Sequence, residues 1–178
     1  MRAWPSLICT LAMLAGPAQA RVTGRMIAWG EMDAADIGPM SPDAHEHALT
    51  RGRTIADPVI TRQTDRITAR LCQQFGATAS FTAGPGEDLP DRVQVHSRHP
   101  MLTRPEDGAT STDDSFETSV AGGQATVGFT FDHGWELQPG TWTMEFTVDG
   151  EVVAAQSFTI TLPPAGTAQT VCVAGPTS

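Results

Sequence analysis

The stretch TWTMEFTVDGEVVAAQSFTIT, residues 141–161, decides the fold class. Its first eight residues alternate strictly, with apolar side chains at even positions and polar side chains at odd positions. Asp149-Gly150 follows as a turn signal, and the second half again places apolar residues on one face. The stretch therefore predicts a half-buried antiparallel hairpin.

The apolar faces of this hairpin also predict its register. A two-residue loop at 149–150 would set Trp142 opposite a serine. Counting one further residue into the loop sets Trp142 against Phe158. The same register sets Val148 against Val152. Because this register matches apolar side chains with one another, we expect either a three-residue loop or a bulge just after the turn.

Weaker strand signals fill much of the chain before the hairpin. They lie at 25–31, 92–96 and 124–132, and odd positions of 67–82 are apolar with one exception. That last run is too long for one typical strand, so we expect a break near 73–76. About seven short strands and no helical periodicity predict an all-β fold, namely an immunoglobulin-like antiparallel β-sandwich. A closed barrel is the alternative.

The first twenty residues have the pattern of a secretory signal peptide. Met1-Arg2 gives a positive start, residues 7–15 form an apolar run, and Ala18-Gln19-Ala20 is a small-x-small cleavage signature. The run is about half as long as a membrane-spanning helix needs to be. We expect cleavage after Ala20 and a periplasmic, soluble mature protein, with no membrane association after cleavage.

Charge excludes some partners. The chain has 20 acidic and 11 basic residues, and Arg2 lies in the leader, so the mature chain is acidic with a net charge of about −10. Nucleic acid and anionic membrane surfaces are therefore unsuitable partners, because both are bound through cations. An unknown protein or small-molecule ligand remains, and the oligomeric state stays open.

Two cysteines, Cys72 and Cys172, follow the leader, which contains Cys9. In an oxidising compartment the simplest expectation is that they form a disulfide. The alternative is two separate thiols with metal or redox roles, for which no C-x-x-C motif exists. We expect the disulfide to hold a C-terminal tail, residues 166–178, to a sandwich domain of residues 21–165. The parity of the 67–82 segment directs the Cys72 sulfur away from the core.

A candidate metal site lies in the loop of residues 31–47. The loop combines Met32, Met40, His45 and His47 with five carboxylates and contains no basic residue. Thioethers and imidazoles suit copper, and imidazoles with carboxylates suit zinc. A solvated acidic loop explains the same composition, so we expect no cofactor and keep copper or zinc binding as an alternative.

A second group of candidates lies near two strand ends. His96 and His99 are three residues apart and would face opposite ways on a continuous strand. Asp132, His133 and Trp135 lie after another strand, and Asp132 could orient His133. These histidines could reach one common ion only if the chain turned after His96. The favoured interpretation is that the histidines cap strand ends, and that Trp135 packs in the core instead of anchoring a partner.

No catalytic residue can be assigned. The chain lacks a G-x-S-x-G elbow, an H-E-x-x-H helix and phosphate-cradling glycine loops. Catalytic triads are recognised by geometry, so a hydrolase without a motif stays an alternative. Two long loops, 32–49 and 100–115, could be functional or simply disordered.

Several stretches together resemble a known family. They are Phe75-Gly76, residues 95–108 beginning VHSRHP, residues 131–142 with the sequence FDHGWELQPGTW, and the hairpin ending QSFTI at 156–160. Together they resemble the bacterial domain-of-unknown-function family 3859. The positions that match its pattern are His99, Pro100, Trp135, Glu136, Pro139, Gly140 and Trp142.

The resemblance implies a small β-sandwich of exported bacterial proteins with no established reaction or cofactor. No catalytic residues can therefore be transferred to this chain, and the matching positions could be structural. The 31–47 loop and the cysteine pair have no place in the family pattern. We expect a non-catalytic binding or interaction module that is not an enzyme.

Overall fold

Nine strands form two sheets in the computed structural model, which describes residues 22–39, 49 and 53–167. The first sheet has the order β2-β1-β4-β7 and the second the order β3-β9-β8-β5-β6. All pairings are antiparallel except β3 with β9. The strands are β1 Val22–Pro39, β2 Arg53–Gln63, β3 Arg66–Thr68, β4 Gln74–Ala83, β5 Arg92–Thr103, β6 Thr110–Ser119, β7 Gln124–Thr130, β8 Gly140–Val148 and β9 Glu151–Thr161, with one 3-10 turn at Gly134–Glu136.

The fold is the predicted immunoglobulin-like sandwich and not the closed barrel. Each sheet ends in edge strands within the described part of the chain, and the inward faces of the two sheets share one apolar core. Among the residues described, no helix has the length and apolar character needed to cross a membrane.

The β8–β9 hairpin follows the predicted pattern with one correction. Asp149 and Gly150 have φ angles of 51° and 82°, as a two-residue type I′ turn requires. A register shift then follows the turn and sets Trp142 opposite Phe158, so the expected bulge is confirmed. The expected pairing of Val148 with Val152 is wrong, because Val148 lies opposite Glu151 before the bulge.

Aromatic side chains from both sheets fill the core. Trp142 and Phe158 of the hairpin are fully buried and meet Phe75 of β4 edge to face, with ring centroids 5.8 and 5.1 Å from Phe75. Pairs of this geometry contribute about 0.5–1.5 kcal/mol each beyond the burial of their area. The apolar residues of the alternating pattern therefore form the inward face of the sandwich.

Two strands escaped sequence analysis, which predicted about seven. The strands β2 and β6 are edge strands. The strand β2 is interrupted by Asp57-Pro58, and a proline within a run argues against a strand. The strand β6 is polar, with Asp114 as its one buried side chain and Phe116 packed against the core. Polar edges are typical because they oppose unwanted strand pairing, and polarity also hides the strand signal. The run 67–82 does break, but at residues 69–73 between β3 and β4, which is earlier than the expected 73–76.

The same strands correct the two predicted long loops. The strand β1 continues to Pro39, so the first half of the 32–49 segment is paired with β2. The strand β5 continues to Thr103 and β6 begins at Thr110, which leaves only residues 104–109 as the connection. The expectation of a long loop at 100–115 was wrong because TSTDDSFETS looks like loop sequence.

Candidate functional site

The two histidines of β5 point to opposite faces of their sheet, as the spacing predicts. His99 is buried on the inward face, whereas His96 is half-buried on the outward face between Ser115 of β6 and Glu145 of β8. No hydrogen bond or ion pair among the described residues joins His96 to His133. The candidate site across two strand ends, with His96, Asp132 and His133, stays a prediction.

His99 sits in a closed polar environment inside the sandwich. Its Nδ1 donates to the carbonyl oxygen of Pro100 at 2.9 Å, and because a carbonyl can only accept, this nitrogen carries a hydrogen. The other ring nitrogen, Nε2, lies 3.4 Å from Asp114 Oδ2. The imidazole also packs against the Trp142 indole, with centroids 4.9 Å apart. The contact between His99 and Asp114 is thus a buried ion pair of moderate length.

Burial and charge act in opposite directions on His99. Removal from water lowers the pKa of His99, but the Asp114 carboxylate, the Pro100 carbonyl and the charge of Asp113 raise it, and the net pKa lies above the ordinary value. The protonated imidazole is thus favoured where it links β5 to the edge strand β6. Sequence analysis missed Asp114, because it lies in a polar segment that looks like a loop.

Ser97 completes a group with the residue types of a hydrolytic triad. Ser97 lies directly across from Asp114, yet within the described part of the chain its hydroxyl has no hydrogen-bond partner. Ser97, His99 and Asp114 are at most 7% exposed. A nucleophile is activated by a hydrogen bond to its base, and Ser97 makes no such bond to His99 within the described residues.

The segment 131–142 folds into a rigid turn around a buried carboxylate. Glu136 is 1% exposed, and its Oε2 accepts the backbone N–H groups of Asp132 and His133 at 2.7 and 2.8 Å. Burial raises the pKa of Glu136, and the two N–H groups offset this only in part. Glu136 therefore fixes the backbone of the two residues before the 3-10 turn.

Two further contacts hold this turn on the sandwich. The Trp142 indole N–H donates to the Gln138 carbonyl at 3.2 Å. Gly140 has a φ of 139°, and a Cβ there would lie 2.8 Å from Pro100 Cγ, so only glycine lets β8 begin against Pro100. The residues that match the family pattern thus meet in one place, where β5, the turn and β8 join.

The turn presents one aromatic pair to solvent. The rings of His133 and Trp135 stack with centroids 5.4 Å apart and planes inclined by 8°. His133 is exposed and Trp135 is half-buried against the core. Trp135 thus packs against the core, as sequence analysis favoured, and its ring also supports an exposed imidazole. A role of Trp135 as an anchor for a partner stays a prediction.

A shallow cleft lies beside the aromatic pair. It has a volume of about 330 Å³ and is lined by Gly134 and Leu137 of the turn and by Leu162 and residues 163–167 after β9. Leu162 is 50% exposed. We use the name "turn surface" for His133, Trp135 and this cleft.

The predicted metal ligands do not assemble within the described residues. Met32 is buried, and its thioether packs over Gly76 and Gly128, where a side chain at either glycine would collide with it. Met40, His45 and His47 lie outside the described residues. No three His, Cys, Asp or Glu side chains cluster in the described part of the chain. The metal alternative stays a prediction.

Cys72 lies where the sequence parity places it, on the surface. The residue is exposed with a φ of 67°, and its N–H donates to the Phe131 carbonyl at 2.8 Å. It is bonded in a disulfide whose other half lies outside the described residues. Cys172 also lies outside them, so its pairing with Cys72 stays a prediction.

Comparisons with known proteins agree with this architecture. The family model for the domain of unknown function DUF3859 matches residues 37–160. A crystal structure of an immunoglobulin-like protein from Pseudomonas aeruginosa is similar in fold, with a TM-score of 0.51 and 19% identity. The match covers 81% of this chain and 99% of that one. None of the curated proteins matches the chain.

Proposed function

We propose, from the premise that this chain belongs to the DUF3859 family, that it is an exported, non-catalytic interaction module whose turn surface binds a partner. The observation that carries the proposal is the stacked His133–Trp135 pair, which is exposed on a backbone held by buried contacts. The exposed His133 ring does not fill the core, so the core does not account for the stacked pair.

Rigidity makes this surface suitable for binding. Association costs free energy for every side chain that must be ordered, about 0.5–1.5 kcal/mol each. The His133 ring already rests on Trp135, and Glu136 holds the backbone of residues 132 and 133. A partner would therefore meet an aromatic anchor whose conformation is set before contact.

The cleft indicates the chemistry of the partner. Leu137 and Leu162 give it apolar walls, and residues 163–167 add two prolines. An apolar or aromatic side chain of a partner protein fits such a cleft next to the His133 ring, which can donate a hydrogen bond.

The export part of the proposal rests on the leader pattern of residues 1–20 and on the disulfide at Cys72. Disulfides persist in oxidising compartments such as the periplasm. A mass spectrum of the protein from the periplasmic fraction tests this directly. A chain that begins at Arg21 and is two hydrogens lighter than its reduced form supports export with one disulfide, whereas a chain that retains Met1 contradicts export.

Site-specific crosslinking tests the turn surface. A photo-reactive aromatic amino acid, chosen so that position 135 keeps an aromatic ring, replaces Trp135 in the full-length protein, which is expressed in the cell that exports it. The matched control carries the same group at Val152, which is 53% exposed at the tip of the hairpin. We expect a discrete adduct from position 135 that excess unmodified protein competes away, and no such adduct from position 152. Equal adducts from both positions, or none from 135, would refute the proposal.

A further inference from the structure

Among the described residues, four edge strands bound the two sheets, and three of them carry a feature that opposes pairing with another strand. The strand β2 bulges at Asp57, which has a φ of 48°, and continues with Pro58. The strand β3 has only three residues. The strand β6 carries the carboxylates of Asp113 and Glu117 away from the core.

The fourth edge strand, β7, lacks all of these features. Its sequence QATVGFT contains no charge and no proline. It pairs with β4 over seven residues without a register shift. A long, flat and uncharged edge is the kind of strand that accepts another strand.

Hydrogen bonds at both ends of β7 show which backbone groups point outward. Phe81 N–H donates to the Gly123 carbonyl at 2.8 Å, and Phe131 N–H donates to the Gln73 carbonyl at 3.1 Å. In an antiparallel ladder, every second residue bonds to its neighbouring strand. The odd positions from 123 to 131 therefore face β4, and the even positions face away.

Three residues of β7 consequently present free edge groups. Gln124 satisfies its outward N–H and carbonyl through Ala121, at 3.0 and 2.8 Å. Thr126, Gly128 and Thr130 have no strand beside their outward N–H and carbonyl groups within the described residues. These six groups are spaced to pair with an extended segment of about five residues.

We propose that β7 binds an extended segment of a partner polypeptide by strand addition, and that this segment has alternating apolar residues and basic flanks. The added segment needs apolar residues because Phe129 of β7 and Phe116 of β6 are only half-buried. Both lie on edge strands, and a four-residue connection between β6 and β7 keeps these two edges on one side of the sandwich. Alternate side chains of an added strand point toward this opening.

Charge selects a basic segment over a second copy of the chain. The neighbouring edge strand β6 carries Asp113 and Glu117, of which Glu117 is paired with Arg92 at 2.9 Å, and the whole chain has a formal net charge of −9. Two copies would repel each other, whereas basic residues flanking the added strand would be attracted. The exposed edge of β7 shares no residue with the turn surface, so it extends the proposed function through a second contact.

The test uses the full chain and a defined probe, the blocked peptide Lys-Val-Thr-Val-Thr-Val-Lys. Backbone amide exchange is measured with and without the peptide. We expect at least a tenfold slowing of exchange at Thr126, Gly128 and Thr130, and no change at Ser115 of β6. Because Val120 N–H donates to the Asp91 carbonyl, even positions of β6 face β5, and Ser115 points outward like Thr126.

Two matched variants complete the test. Thr126→Pro removes an outward N–H that makes no bond to β4 and should weaken peptide binding at least tenfold. Ser115→Pro makes the same change on β6 and should leave the affinity unchanged. If Thr126→Pro does not fold, the exchange measurement on the unchanged protein decides.

Specific results would overturn the proposal. They are unchanged exchange at the three amides, equal loss of affinity in both variants, slow exchange before peptide is added, or a dimer that Thr126→Pro dissociates. Slow exchange before peptide is added would mean that another segment of this chain already covers the edge of β7. A dimer that Thr126→Pro dissociates would mean that a second copy of the chain covers it. Crosslinking from position 135 does not involve β7, so its outcome and this one are independent.

Discussion

His99 and His133 both lie in segments that resemble the family, but they occupy opposite environments. His99 is enclosed between Asp114, Pro100 and Trp142, whereas His133 lies on the surface and stacks on Trp135. The first histidine joins two strands, and the second is available to a partner. The difference shows that residue type alone does not assign a role, because burial and partners decide what an imidazole can do.

The largest expected effect is on stability at the buried pair. Truncation of Asp114 to alanine leaves the His99 imidazole without its carboxylate. Removal of one partner of a buried pair costs about 3–5 kcal/mol, and the lower end, about 3 kcal/mol, applies here because the contact is 3.4 Å long and Nε2 makes no hydrogen bond. We expect urea unfolding to show a loss of this size. The matched control His133→Ala should change stability by less than about 0.5 kcal/mol, as is usual for exposed positions. Equal losses would mean that the buried and exposed environments do not differ.

The second largest effect on stability is expected at the turn that carries His133. Glu136→Ala leaves the N–H groups of Asp132 and His133 without their acceptor, which costs about 1–3 kcal/mol. The same change should loosen the His133–Trp135 stack and lower the crosslinking yield from position 135. Unfolding curves and crosslinking on one preparation measure both effects. A stability loss with full crosslinking would show that rigidity of the turn is not needed for binding.

The pH dependence of stability sharpens the contrast further. The folded-state pKa of His99 lies above its ordinary value of 6.5. Its contribution is therefore fully present below pH 6.5 and is lost as pH rises through the folded pKa. Unfolding free energies across this range should fall with pH in the natural chain and fall less in Asp114→Asn. A profile that rises with pH in this window would contradict the assignment.

The smallest effect on stability belongs to the aromatic pair itself. His133→Ala should leave the unfolding free energy unchanged while it lowers the crosslinking yield from position 135, because the imidazole completes the turn surface. His96→Ala is the matched control on another exposed face and should change neither quantity. If His133→Ala leaves the crosslinking yield unchanged, the histidine is not part of the binding surface and only Trp135 of the pair contributes to it.

Sequence analysis captured the parts of the fold that local pattern determines. The alternation of 141–148 and the Asp149-Gly150 turn gave the β8–β9 hairpin and the pairing of Trp142 with Phe158. The edge strand β6 was missed, because a strand that buries only Asp114 and Phe116 has no apolar alternation to detect.

The residues of the candidate site were harder to predict from the sequence, for a related reason. The spacing of His96 and His99 correctly indicated opposite faces, but nothing in the sequence showed that Asp114 would meet His99 from a strand that was itself missed. Glu136 was noted only as a family position, since a buried carboxylate that binds its own turn looks like any acidic residue in sequence. A long-range partner decided the role of His99, and burial within its own turn decided the role of Glu136.

Histidine footprinting tests the central contrast most directly. Diethyl pyrocarbonate labelling is compared on the purified protein and on the protein inside the exporting cell. We predict that His99 resists labelling in both samples, that His133 is labelled rapidly in the purified protein and is protected in the cell, and that His96 is labelled alike in both. Rapid labelling of His99, or equal labelling of His133 in the two samples, would contradict the account.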